Sequence, residues 1–240
     1  MNERKLWKHA FRLTTPVMIG YLVMGTAFGI IIQTKGYSFV WAFAISLTVY
    51  SGSMQFVLAE LLASASPLLH AALMTVAVQI RHVFYGLSLI DEYKKMSPLR
   101  RFCSIFGLTD ETYSLQCSLK TPDGMDEGRL RFAVSVLDHS YWIAGCTAGA
   151  LAGALIPFDF EGADFAMTAL FVVIFVEQWQ SFKGFKKRLP AMIGAVSAFV
   201  CLLIFGAERF IFPALAAATL ALLALRPVLG GKEGADGTGN

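Results

Sequence analysis

Apolar positions along this chain run on for long stretches instead of alternating or recurring on one face. The runs fall at 12–33, 39–63, 67–90, 103–119, 130–157, 164–182, 190–207 and 209–225. Gly36-Tyr37-Ser38, Ser64-Ala65-Ser66-Pro67, Pro157 and the segment from Gly184 to Pro190 break them. Several runs reach the ~20 residues that a helix needs to cross hydrocarbon. Strands of a membrane barrel would alternate apolar and polar over ~10 residues, and stretches such as 165–176 and 192–205 have almost no polar face. The pattern predicts an all-α, polytopic integral membrane helical bundle. Residues 230–240 are Gly-rich and polar and read as a disordered cytoplasmic tail, which leaves 1–229 as a single transmembrane domain.

Two runs carry polar groups where a simple span would not. The 39–63 run holds Tyr50-Ser51-Gly52-Ser53 and Gln55 near its middle, and the 103–119 run holds Asp110 and Glu111. Basic residues collect in four places: Arg4, Lys5, Lys8 and Arg12; Lys94, Lys95, Arg100 and Arg101; Arg129 and Arg131; and Lys183, Lys186, Lys187 and Arg188. All four clusters favour the cytoplasm. They reach it together only if neither 39–63 nor 103–119 crosses. The expectation is therefore about six full spans plus one or two broken, re-entrant segments, with seven or eight spans as the rival count. Irregular backbone at membrane depth is tolerated where it faces protein or a water-filled cavity, and broken helices mark substrate sites in secondary transporters.

Composition agrees with the solvent that the pattern implies. Hydrophobic residues make up 56% and charged residues 15% of the 240, against roughly 25% charged in a soluble domain. A net charge of +3, with no basic stretch interleaved with aromatics, argues against nucleic acid as a partner. The four cysteines form no CxxC, and Cys146 and Cys201 lie inside apolar runs as small hydrophobes. No HExxH, GxSxG, Walker or dinucleotide motif occurs and four scattered histidines make no metal set, so neither enzyme chemistry nor a cofactor or metal is expected.

Charges inside apolar runs are the strongest pointers to function, because each is costly in hydrocarbon. Arg81 and His82 lie deep in the third run, and Asp138 and His139 deep in the fifth. Arg81 and Asp138 are expected to pair, as part of coupling or as glue between helices, with snorkelling of Arg81 to the cytoplasmic interface as the rival, and the two histidines to relay protons. Asp110 and Glu111 are candidate gating residues, with Thr109 as a helix cap ahead of them. A candidate internal repeat joins Gly25-xxx-Gly29 to Gly145-xxx-Gly149-xxx-Gly153, each followed by a run with polar groups: Gln55 in the first half, Glu177 and Gln178 in the second.

The series Pro16, Gly20-Tyr21, Gly25, Phe28-Gly29, then Tyr50-Ser51-Gly52-Ser53-Met54-Gln55-Phe56, then Arg81-His82 with Tyr85-Gly86-Leu87-Ser88-Leu89, then Leu108-Thr109-Asp110-Glu111-Thr112-Tyr113 resembles the AzlC family of branched-chain amino acid permeases. The likeness covers the first half of the chain and continues in the region from Trp142 to Gly149. Ser53 stands where the family carries a small, Ala-like residue. The resemblance implies the large subunit of a two-component exporter of Leu, Ile and Val, with Met as a further candidate. It also implies a small AzlD-like membrane partner and a bacterial inner-membrane location with a cytoplasmic N-terminus.

On that reading the broken run receives the zwitterion. Ser51, Ser53 and Gln55, with Tyr50 and Gly52 beside them, meet its carboxylate. Met24, Phe28 and Phe56, with Gly25 and Gly29, wall the aliphatic side chain. Two other readings stay open at this point: a channel or facilitator for small solutes, and a non-transporting membrane scaffold.

Overall fold

The computed structural model describes residues 3–155, 185–206 and 210–229, together with Val172, Val176 and Trp179. Among them the ordered elements are helices and no strand occurs. The run at 164–182, with Glu177 and Gln178, lies largely outside the described residues, as does the tail at 230–240. The chain divides into two compact units, Met1–Ala163 and Asp164–Asn240. In the second, α9 (Phe185–Phe205) and α10 (Ile211–Leu229) pack on each other.

The first unit is built on two long helices, α1 (Glu3–Thr34) and α8 (Glu127–Leu155). They run parallel. Leu6 and Ala10 pack with Leu130, Ala133 and Val134, and the Thr14 side chain meets Tyr141 (3.1 Å). Glu3 pairs with Arg129 where the helices begin. Further along, the contact is backbone on backbone. A Cβ on Gly25 would come to 3.0 Å from the Cys146 nitrogen, and one on Gly145 to 2.9 Å from the Tyr21 carbonyl oxygen. A Cβ on Gly29 would fall on the Cys146 carbonyl, and one on Gly149 on the carbonyl of Thr26. The glycines of α1 and α8 thus face each other across a close parallel crossing, the geometry that small-xxx-small patterns permit in membranes.

Between these helices the chain makes two hairpins. The first is α2 (Phe39–Thr48) and α3 (Gly52–Ala63), interrupted at Val49-Tyr50-Ser51. Helices of 10 and 12 residues rise roughly 15 and 18 Å, each too short to cross. Three contacts fix the course of α3. Tyr50 stacks edge-on with Tyr21, Phe56 with Phe28, and Glu60 pairs with Lys35 at 2.7 Å. The partners advance along α1 toward its C-terminal end, so α3 returns to the end from which α2 set out. The helix break read from Ser51-Gly52-Ser53 is present, and the segment doubles back on itself.

α4 (Leu68–Ser88) and the short α5 (Ile90–Lys94) lead into the second hairpin, α6 (Pro98–Phe106) and α7 (Asp110–Cys117). Arg101 closes the turn before it by donating to the carbonyls of Tyr93 (3.1 Å), Lys94 (2.9 Å) and Met96 (3.3 Å). Pro98 opens α6 where its missing N–H leaves nothing unpaired. α7 runs antiparallel to α8: Thr112 bonds Asp138, whereas Gln116 bonds Arg131 and Ser135. Phe106, at the end of α6, lies against His139 (ring centroids 5.7 Å). The tip of this hairpin, Gly107-Leu108-Thr109, therefore points toward Asp138 and its open ends toward the start of α8. All four cysteines are free; Cys146 and Cys201 are buried and Cys117 is exposed.

The first break is sealed by Gln55, which is fully buried. Its amide nitrogen donates to the carbonyl of Val49, just past α2, and at 3.5 Å to that of Ile45 in the last turn of α2. Its amide oxygen accepts from Trp142 Nε1 (3.1 Å). The Trp142 ring covers Gly52, where a Cβ would lie 3.2 Å from it.

Two stability effects are expected. Gly29→Ala and Gly149→Ala each drive a methyl into facing backbone that has no rotamer to yield, and should destabilise the protein by about 3 kcal/mol; Gly86→Ala, in open space, serves as the neutral control in detergent melting curves. Gln55→Leu leaves the buried Trp142 N–H unpaired and should cost about 2 kcal/mol. A Gln55→Leu protein melting at the wild-type temperature would show that the amide does not hold the break.

Candidate functional site

The two hairpins approach α8 from its opposite ends, and their tips meet beside Asp138, His139 and Trp142. Tyr21, in the middle of α1, touches both. Its ring stands edge-on to Tyr50 of the first tip (6.3 Å) and to Trp142 (5.3 Å). Its hydroxyl bonds Thr109 of the second tip and donates to Glu111 Oε2 (2.9 Å). Tyr21 lies nine residues beyond Arg12, roughly 14 Å along the axis, or about half the thickness of a hydrocarbon core.

Both returning helices begin at this junction. α7 is capped by Thr109, whose Oγ1 accepts from the Thr112 nitrogen (3.2 Å), as its sequence position implies. α3 has Ser51 at its cap position without a side-chain bond. Two helix N-termini thus point their partial positive charge into the same place. Arg81 of α4 joins them. Its Nη2 donates to Ser53 Oγ in the first turn of α3 (2.8 Å) and pairs with Asp110 Oδ2, the first residue of α7 (2.8 Å). Tyr85, one turn on, donates to Asp110 Oδ1 (2.6 Å) and stacks on Tyr113 (4.3 Å).

The expected Arg81–Asp138 pair is corrected: the second hairpin puts Asp110 within reach of Arg81, and Asp138 takes Thr112 in its place. Asp138 is fully buried and has no ion pair among the described residues. Its Oδ2 accepts from Thr112 Oγ1 (2.9 Å), and its Oδ1 has no partner there. The hydroxyl of Tyr50, also buried, has none either. His139 lies against Tyr50 (ring centroids 4.2 Å), with Nε2 3.1 Å from the Ser46 carbonyl. His82 sits away from that group, with Nδ1 3.3 Å from the Gln79 carbonyl and its ring edge-on to Tyr85.

The remaining residues read from the sequence divide by place. Tyr50, Ser51 and Ser53 are at the junction. Gly25 and Gly29 are taken up by the crossing with α8, and Gln55 by the seal. Phe28 and Phe56 are fully buried against each other (5.7 Å), and Met24 is half-buried on α1. Glu111 is exposed and Asp110 half-buried. Tyr21, Thr112 and Trp142 belong to the junction and were not singled out in the sequence for it. A signal existed for two of them, since Tyr21 lies four residues before Gly25 and Trp142 three before Gly145, on the face of each glycine seam. Among the described residues no group of His, Cys, Asp and Glu could hold a metal ion.

Comparison with known proteins adds the family. Residues 16–156 match the family described as AzlC protein. The chain is 37% identical to the branched-chain amino acid transport protein AzlC of Bacillus subtilis, over 95% of this chain and 90% of that one. It is 37% identical to an uncharacterized membrane protein of Haemophilus influenzae (87% and 84%) and 27% identical to the inner membrane protein YgaZ of Escherichia coli (76% and 76%). No solved structure matches. The match spans both hairpins and both glycine-bearing helices, and on that ground the chain belongs to the AzlC family.

Proposed function

We propose that this chain is a secondary exporter of branched-chain amino acids, Leu, Ile and Val with Met at the margin, in a bacterial inner membrane. Its N-terminus lies in the cytoplasm, and it works with a small AzlD-like membrane subunit. Branched-chain amino acid transport is the activity named for the Bacillus relative. Three described helices, Glu3–Thr34, Leu68–Ser88 and Arg188–Phe205, are long and apolar enough to span. The parallel course of α1 and α8 supports a shared, cytoplasmic side for their basic ends, with α2–α3 re-entrant from outside, α4 crossing back, and α6–α7 re-entrant from inside.

The observation that carries the site is the pair of buried polar atoms without partners, Asp138 Oδ1 and the Tyr50 hydroxyl, where both hairpin tips meet. A closed protein leaves such atoms unpaired at a cost of ~1–3 kcal/mol each. A zwitterion satisfies them: its ammonium takes Asp138 among aromatic rings, and its carboxylate takes Arg81, Ser51, Ser53 and the start of α3. Main-chain charges of the substrate are thus recognised at the junction, and His82 and His139 remain relay candidates at its flanks.

Inside-out vesicles from cells making the chain, with and without the small subunit, test the function. Saturable uptake of labelled L-leucine and L-valine, not of the D-isomers, is expected, and only with the partner. Non-saturable uptake indicates a channel, and no uptake with any partner a scaffold. Tyr50→Phe removes a hydroxyl that no described residue uses, so folding should be unchanged while KM for leucine rises about tenfold, the worth of one hydrogen bond. An unchanged KM would place the substrate elsewhere.

A further inference from the structure

Asp138 is buried, yet its hydrogen bonds lead out to an exposed carboxylate. Thr112 Oγ1 donates to Asp138 Oδ2 (2.9 Å), Thr109 Oγ1 donates to Thr112 Oγ1 (3.1 Å), Thr109 Oγ1 also meets the Tyr21 hydroxyl, and that hydroxyl reaches Glu111 Oε2 (2.9 Å). Thr109, Thr112 and Tyr21 are all buried, and Glu111 is exposed. Five oxygen-bearing groups thus form one continuous file with a carboxyl at each end.

The protons of this file can be counted. It has four oxygen–oxygen contacts and three hydroxyl protons. With both carboxyls ionised, one contact has no proton between its oxygens. One additional proton fills all four, and it can sit at either end. On Glu111, each group donates toward Asp138; on Asp138, each donates toward Glu111. No arrangement of the three hydroxyls alone satisfies every contact.

The geometry points to a proton-transfer path, Glu111–Tyr21–Thr109–Thr112–Asp138, that loads and unloads Asp138 during transport. In one passage the Glu111 carboxyl gives its proton to Tyr21 as Tyr21 gives its own to Thr109, Thr109 to Thr112, and Thr112 to Asp138 Oδ2. Only O–H bonds break and form, and the net change is one proton moved from Glu111 to Asp138. The hydroxyls then point the other way and turn back before the next proton. Such a delivery meets the charge balance whenever no substrate ammonium is present, since a carboxylate with neither counter-ion nor proton is among the costliest groups to bury. Other titratable or charged groups bear on the site. Tyr21 comes from α1, Tyr50 from the break after α2, and Asp110 and Glu111 from α7, while His139 follows on α8. Asp110 is held by Arg81. α6 offers Arg100, which lines a cavity with Glu92, Asp126 and Glu127, Arg101, which caps α5, and Cys103, and α2 offers none.

This inference rests on the transport reading and is tested in the same vesicles. Thr112→Val removes the central hydroxyl at nearly constant volume, and Thr112→Ser restores it. Two fluxes of L-leucine are compared: accumulation driven by an imposed pH gradient, and counterflow at equal pH. Thr112→Val should lower the driven accumulation about tenfold more than it lowers counterflow, and Thr112→Ser should recover coupling. If Thr112→Val fails to fold, Tyr21→Phe, which cuts the same file at its outer link, should give the same split. Either folded variant coupling as well as wild type, or losing both fluxes alike, overturns the path. Wild-type flux indifferent to the gradient also overturns it and leaves the transporter standing, whereas no wild-type leucine flux removes the transport reading itself.

Discussion

An interrupted helix at membrane depth strands backbone groups where no water can reach them, and the remainder of this structure is arranged around meeting that demand at the first interruption. The carbonyls of Ile45 and Val49 lie at the end of α2, where they accept from the nitrogens of Val49 and Ser51. Gln55, on the first turn of the returning helix, turns its amide back onto both and offers its oxygen to Trp142. One side chain thus closes the end of α2, fixes the start of α3 and ties both to α8. The polar residues that look out of place in an apolar run have two different duties. Gln55 satisfies the fold, while Ser51, Ser53 and Tyr50 stay beside groups whose needs the fold leaves open.

The glycine crossing makes that arrangement possible. Because α1 and α8 touch through backbone at Gly25, Gly29, Gly145 and Gly149, they act as one central pair. Hairpins from the two ends can then reach the same level, with Tyr21 and Trp142 beside the crossing as their shared contact. Arg81 adds a clasp from α4, holding the first turns of α3 and α7 at once. A movement that separates the tips must break this clasp, so the Arg81–Asp110 pair and the hairpin tips form a mechanical unit.

The sequence disclosed much of this and concealed one pairing. Unbroken apolar runs mark the helices because lipid leaves no polar face to preserve, and basic clusters demand two segments that turn back. Ser51-Gly52-Ser53 and the Thr109 cap show where they turn. The partner of Arg81 was hidden for a physical reason. Depth along a helix can be counted from sequence, and Arg81 and Asp138 stand at similar depth, but depth does not give azimuth. The hairpin that inserts Asp110 decides which carboxylate faces the guanidinium. The hydroxyl file was hidden likewise, because Tyr21, Thr109 and Thr112 are separated by up to 91 residues in the chain and each has an ordinary local explanation as seam, cap or first-turn residue.

That division of carboxylates bears on mechanism. Asp110 is paired with Arg81 in this structure, so its value lies in the geometry it holds. Asp138 accepts from Thr112 on one oxygen, and its other oxygen has no partner among the described residues. On the proposed reading its charge is met by something that arrives and leaves, a proton along the hydroxyl file or an ammonium from the substrate. Both would contend for the same negative charge from opposite oxygens. Competition of that kind couples two movements without any contact between them, since occupancy by one lowers affinity for the other by a shared free energy. On the proposed function, the amine and the proton take turns at one buried carboxylate.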